Sequence, residues 1–129
     1  DWMADDSGMT GDESVRVARL LKAAGCDIID CSSAGNVPES RINYGRMYQV
    51  PFSDQIRNEA GIPTMAVGNI QDADQCNMVL AAGRADLCAL ARPHLADPFF
   101  TLHAAAKYEY WEQHWPNQYL ASKPRPARR

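Results

Sequence analysis

Leu20-Leu21-Lys22-Ala23-Ala24-Gly25 runs through Cys26 into Asp27-Ile28-Ile29-Asp30-Cys31, and then into Ser32-Ser33-Ala34-Gly35-Asn36. This passage decides the fold. Its first piece ends a helix. Upstream, Thr10-Gly11-Asp12-Glu13 fits a capping box with Thr10 as N-cap and Glu13 reaching back. Val17, Leu20, Leu21 and Ala24 recur at helical spacing, and Gly25 stands where a left-handed C-cap residue belongs. The second piece is a short β-rich run, and the third is a small polar loop.

The same order is written twice more. Residues 52–60 read as a helix, Gly61 closes it, and Pro63 bars its continuation. Thr64-Met65-Ala66-Val67 is a short apolar strand ended by Gly68-Asn69. Residues 72–82 read as a third helix with Ala73, Cys76 and Leu80 on one face, and Gly83 caps it. Asp86-Leu87-Cys88-Ala89-Leu90 is the next strand, left through Ala91-Arg92-Pro93, and a last helix is expected from Leu95 or Pro98 to about Tyr110. Three helices thus end in Ala-Gly, each with a strand close behind.

Alternating helices and strands mean parallel strands joined by helical crossovers, an α/β fold. The strands read as apolar on both faces, as a sheet covered on two sides requires. An open doubly wound sheet and a (β/α)8 TIM barrel both meet this description. The regular repeat, with Gly, Ser, Asn or Arg at each strand end, favours the barrel, whose working face lies at the strand C-termini. Such a barrel needs about 250 residues. The chain has 129 and begins Asp1-Trp2-Met3, so it is expected to be a segment of a longer protein. Three strands cannot close a barrel and would leave two edges exposed.

Composition narrows the classes. Hydrophobic residues make up 46% and charged residues 22%, which excludes a disordered or collagen-like chain. The apolar runs are too short for a membrane span, and a net charge of -3 argues against a nucleic-acid partner. Cys26, Cys31, Cys76 and Cys88 form no C-x-x-C pair, and His94, His103 and His114 complete no zinc spacing, so no metal site is expected. Buried reduced thiols are the expectation, with nothing nearby to lower a thiol pKa, and the setting is read as cytoplasmic. Lys123, Arg125, Arg128 and Arg129 make the end of the chain basic and Pro116, Pro124 and Pro126 mark it as irregular. The expected organisation is a partial barrel over 1–110 and a basic, proline-containing tail over 111–129.

The chemistry is sought at the strand ends. Anion binding needs backbone N–H groups with little side chain in the way. Gly68-Asn69 and Ala91-Arg92 meet that need, Arg92 adding a positive fork suited to phosphate oxygens. Ser32-Ser33-Ala34-Gly35 supplies a third set of small groups. Tight strand-to-helix turns would look the same. Asp27 reads as a strand-start polar group, Asp30 as a buried or rim carboxylate, and His94 as packing near a helix start. Tyr44, Tyr48 and Phe52 could pave a flat ligand, with core packing as the default.

Several stretches carry a resemblance: Ile29-Asp30-Cys31-Ser32-Ser33, Tyr48-Gln49-Val50-Pro51-Phe52 with Ile56-Arg57, Ala66-Val67-Gly68, and Gly83-Arg84-Ala85-Asp86-Leu87 leading to Ala91-Arg92-Pro93. In order and spacing, over about residues 14–100, they resemble the last third of the barrel of the Old Yellow Enzyme family, the FMN-dependent ene reductases. The resemblance implies a C-terminal segment carrying the last three strands and their helices. Within the family, Tyr44–Gln49 and Ala89–Pro98 are similar to the reductase half of bifunctional aromatic acyl-CoA enzymes, such as salicylyl-CoA 5-hydroxylase and aminobenzoyl-CoA monooxygenase/reductase.

The resemblance implies FMN as cofactor and NAD(P)H as hydride donor. It places Ala91 and Arg92 at the family's Gly-Arg pair on the FMN phosphate, with Ala91 a departure whose methyl is tolerable if φ is negative. Gly68 and Asn69 match the other phosphate loop. Ser33 and Ala34 match a Ser-Gly step near the ribityl chain, Ala34 being a second departure. The family's catalytic groups lie on earlier strands, so no catalytic residue is assigned. The implied substrate is an activated alkene or an aromatic acyl-CoA, and a homo-oligomer is expected. The alternatives are a phosphate-binding barrel lyase or isomerase without flavin, and a non-catalytic oligomerising fragment.

Overall fold

The computed structural model describes residues 2–3, 7–33 and 35–125. Helix α1 (Gly11–Ala23) starts at the expected capping box. Thr10 Oγ1 accepts from the Glu13 amide at 3.2 Å, and the Glu13 carboxylate accepts from the Thr10 amide at 2.8 Å. The hydrogen bond from the Thr10 amide holds the Glu13 carboxyl below its usual range. Strand β1 (Ile29–Cys31), α2 (Val50–Ala60), β2 (Thr64–Val67), α3 (Ala73–Ala81) and β3 (Leu87–Ala89) follow. Gly61 ends α2 at φ +63°, a left-handed conformation that costs glycine nothing. Gly25 and Gly83 follow their helices with positive φ as well.

The three strands are parallel in the order β1-β2-β3, with Cys31, Ala66 and Cys88 in one row and Asp30, Met65 and Leu87 in the next. Successive side chains along a strand point to opposite faces. One face therefore carries Cys31, Thr64, Ala66 and Cys88. Val15 and Ala18 of α1 and Ile56 and Ala60 of α2 pack with Cys31 on it. Val79 of α3 packs with Ala66, while Cys76 and Cys88 flank that cluster. All three helices thus cover the same face. A doubly wound sheet distributes helices to both, whereas a barrel keeps them outside. The structure accordingly takes the barrel side of the alternative.

The second face corrects the expectation of a sheet covered on two sides. Asp30 is exposed, Met65 half-buried, and Leu87 53% exposed. The apolar residues on this face are those a closed barrel would turn inward.

Two compact units make up the chain, the first ending at Leu90 and the second opening at Ala91. In the second unit a short α4 (Arg92–Ala96) precedes α5 (Phe100–Lys107), which is the expected last helix near the later of its two starts. The break is at Asp97, which is extended (φ -134°, ψ 93°) ahead of Pro98, because proline disfavours helical geometry in the residue before it. Asp97 accepts from the Phe99 amide at 3.0 Å and lies 2.7 Å from His103 Nδ1; the His103 contact holds its carboxyl low. A 3-10 turn over Asn117–Ser122 follows, and Lys123 Nζ donates to the carbonyls of Trp111 and Gln113. No helix among the described residues is long and apolar enough to cross a membrane.

Candidate functional site

The C-terminal ends of β1 and β2 lie side by side in the first unit. Past β1, Ser33 donates from its amide and its hydroxyl to Gln49 Oε1, both at 2.6 Å. The Ser33 hydroxyl also accepts from Trp2 Nε1 at 2.8 Å. Past β2, Gly68 holds φ +109° and Asn69 φ +53°. Asn69 Nδ2 donates to the Gly45 carbonyl at 2.8 Å, and the Met47 amide donates to the Asn69 carbonyl at 3.2 Å. Gln49 joins the two ends, its Nε2 donating to the Val67 carbonyl at 2.9 Å. A side chain at Gly68 would drive its Cβ into Gln49 Nε2 and to 3.0 Å from Tyr48 Cε1. Backbone, not side chain, is what this corner presents.

Gln49 carries no role in the sequence reading. It stands at the N-cap position of α2, but its side chain makes no capping hydrogen bond there. Serine, threonine, aspartate and asparagine are the usual N-caps. A glutamine just ahead of Val50-Pro51 is the signal that could have marked it.

Ala91 and Arg92 open the second unit. Ala91 has φ -102°, so its methyl sits on unstrained backbone, and exposed Arg92 begins α4. The structure thus gathers Ser33, Gly68 and Asn69 in one unit and keeps Ala91 and Arg92 together in the other. Ala34 lies outside the described residues.

The remaining candidates resolve as follows. Tyr48 and Phe52 pack on Trp2, with ring centroids 6.1 and 5.9 Å away, while Tyr44 sits edge-on to Tyr48 at 5.4 Å and stays 68% exposed. His94 packs edge-on against Phe100 at 5.1 Å. Asp27 precedes β1 on an exposed segment, and Asp30 is exposed rather than buried. Burial pushes the Cys31 thiol up to about 11. One expectation about the thiols needs correction. Cys76 and Cys88 share a hydrogen bond that pushes Cys76 up and leaves Cys88 the thiol favoured to ionise. No group of three metal-ligating side chains occurs among the described residues.

The opposite end of the sheet is built for stability. Arg57 Nε and a terminal nitrogen donate to the two Asp86 oxygens, both at 3.0 Å, and the Thr64 amide donates to Asp86 at 2.9 Å. Arg57 chiefly, and the Thr64 amide next, hold the Asp86 carboxyl below the usual carboxylate range. Arg84 pairs with Asp54 at 2.9 Å. Ion pairs mark the N-terminal ends of β2 and β3; small groups and turned backbone mark the C-terminal ends of β1 and β2.

The family model described as NADH:flavin oxidoreductase / NADH oxidase matches residues 4–110. An NADPH dehydrogenase of Geobacillus thermodenitrificans is 46% identical over 100 residues, which is 78% of this chain and 29% of that protein. NADPH dehydrogenases of Bacillus subtilis and Clostridium acetobutylicum are each 41% identical, over 78% and 77% of the chain and 29% of their own lengths. The chain thus spans about three-tenths of the curated relatives it matches.

Proposed function

The chain belongs to the NADH:flavin oxidoreductase / NADH oxidase family, and on that premise we propose that it supplies the FMN phosphate-binding part of an NAD(P)H-dependent, ene-reductase-type oxidoreductase. The observation that carries the reading is the corner at Gly68 and Asn69, beside Ser33, where the ends of two neighbouring parallel strands present turned backbone with no side chain at Gly68. The residues present fit the group. Gly68 leaves no room for a side chain that would screen its backbone, and the negative φ of Ala91 accommodates a methyl at the position before Arg92.

In this reading Gly68 and Asn69 are the phosphate contacts of the first unit, with Ser33 beside them, and Ala91 and the Arg92 guanidinium are the phosphate candidates of the second unit, each as the resemblance implies. The chemistry that FMN would supply when held there is hydride transfer from NAD(P)H to an activated alkene. This chain's residues bind and orient; the proton chemistry falls to none of them. The finer proposal is that the alkene belongs to the dearomatised ring of an aromatic acyl-CoA, supported by the resemblance of Tyr44–Gln49 and Ala89–Pro98. A homo-oligomer in the cytoplasm completes the proposal.

Purification of the whole protein that carries this chain tests it, since the 129-residue chain alone is expected to be inactive. The expected result is a yellow protein that releases FMN on denaturation and oxidises NAD(P)H with an activated alkene as acceptor. A colourless protein that binds no FMN yet turns over a phosphorylated substrate would replace it with the flavin-free lyase or isomerase. Comparing a simple enone with an aromatic acyl-CoA as acceptor tests the finer proposal, which fails if only the enone is reduced.

A further inference from the structure

Gln49 is 2% exposed, and both ends of its amide are engaged, the oxygen by the loop after β1 and the nitrogen by the end of β2. Its oxygen accepts both protons of Ser33, 16 residues earlier, and its nitrogen donates to Val67, 18 residues later. A buried amide is retained at little cost only when its partners are met, and loss of one such side chain leaves the others unsatisfied. The side chain also fills the space that a Cβ at residue 68 would enter.

From these contacts we propose that Gln49 is a positioning residue. It sets the spacing between the loop after β1 and the end of β2, and so shapes the wall against which the flavin would lie. The inference rests on the flavin reading. It goes beyond it because Gln49 touches the cofactor in neither role assigned above; it acts through Ser33 and Gly68. The other side of the β2 loop is pinned separately, by Asn69 to Gly45 and by Met47 to Asn69. Loss of Gln49 should therefore loosen Ser33 and Gly68 without freeing Asn69.

The test compares the whole protein that carries this chain with its Gln49→Leu and Gln49→Glu variants by FMN titration and by amide hydrogen exchange. In Gln49→Leu, which removes all three of these hydrogen bonds, the FMN dissociation constant rises about tenfold. Exchange at the Ser33 and Gly68 amides accelerates, while Thr64 and Asp86 at the far end of the strands stay unchanged. Gln49→Glu separates the two loops. Its carboxylate still accepts from Ser33 but has no proton for Val67, so only Gly68 loosens. This variant also serves if Gln49→Leu does not fold. A merely space-filling Gln49 would give no such split. Unchanged FMN affinity and unchanged exchange at Ser33 and Gly68 in Gln49→Leu would overturn the proposal. If the unsubstituted whole protein binds no FMN, the flavin reading fails by itself, and the exchange split alone upholds or overturns the role of Gln49.

Discussion

Arg92 is the only candidate phosphate ligand assigned here that brings a full charge. Its guanidinium can meet two phosphate oxygens at once, a geometry lysine cannot reproduce. Arg92→Ala should weaken FMN binding about tenfold to a hundredfold, the range for a lost charge-assisted hydrogen bond. Arg92→Lys should recover part of that loss. Fluorescence titration with FMN checks both, and equal affinity in all three chains would remove Arg92 from the site. Asp86 governs acid stability instead. Its folded pKa lies below the unfolded value of about 3.9. Its contribution is therefore present above about pH 4 and is lost as pH falls through the lower folded value. Asp86→Asn should cost about 1 kcal/mol at neutral pH, a modest figure because both partners remain about one-third exposed. The variant should also lose less stability on acidification than the parent. Urea unfolding at neutral pH and at about pH 3 measures this; parallel acid losses would sink the assignment.

At the scale of elements, helix caps were the most legible feature, because a cap is written within four residues. Thr10-Gly11-Asp12-Glu13 gives α1 its start, and Ala60-Gly61 gives α2 its end. Thr10→Ala should cost about 1 kcal/mol by removing the box, read from the urea midpoint, and a change within error would mean the first turn is held by packing. Strand β2 stood where Thr64-Met65-Ala66-Val67 placed it. β1 and β3 are shorter than their apolar runs, since Ile28 and Leu90 lack a ladder partner in the sheet. What the sequence hid is long-range. The Gln49 bridge and the Cys76–Cys88 pair join residues 12 to 18 apart across different elements, and no periodicity encodes such contacts. The break at Asp97 was visible in principle, in the proline that follows it. Ser33, Gly68, Asn69, Ala91 and Arg92 are candidates on sequence grounds because small residues and an arginine at strand ends suit an anion, and their division between two units was not readable from spacing.

At the scale of the molecule, one-sided coverage of the sheet distinguishes this chain from a self-contained α/β domain. Val15, Ala18, Ile56 and Val79 protect one face, and the row Asp30, Met65 and Leu87 lies on the other. Parallel strands are ordinarily covered on both faces. An uncovered face with an apolar centre and two outer strand edges gives a second molecule something to bury. Stability then acquires a concentration. By mass action, any association that favours the folded form lifts the melting temperature as protein is added. The 129-residue chain should melt higher at a tenfold greater concentration, with sedimentation showing a larger species over the same range. A midpoint indifferent to concentration would mean that the open face is tolerated by the monomer, and that its half-buried Met65 and exposed Leu87 are carried at the expense of solubility rather than hidden by assembly.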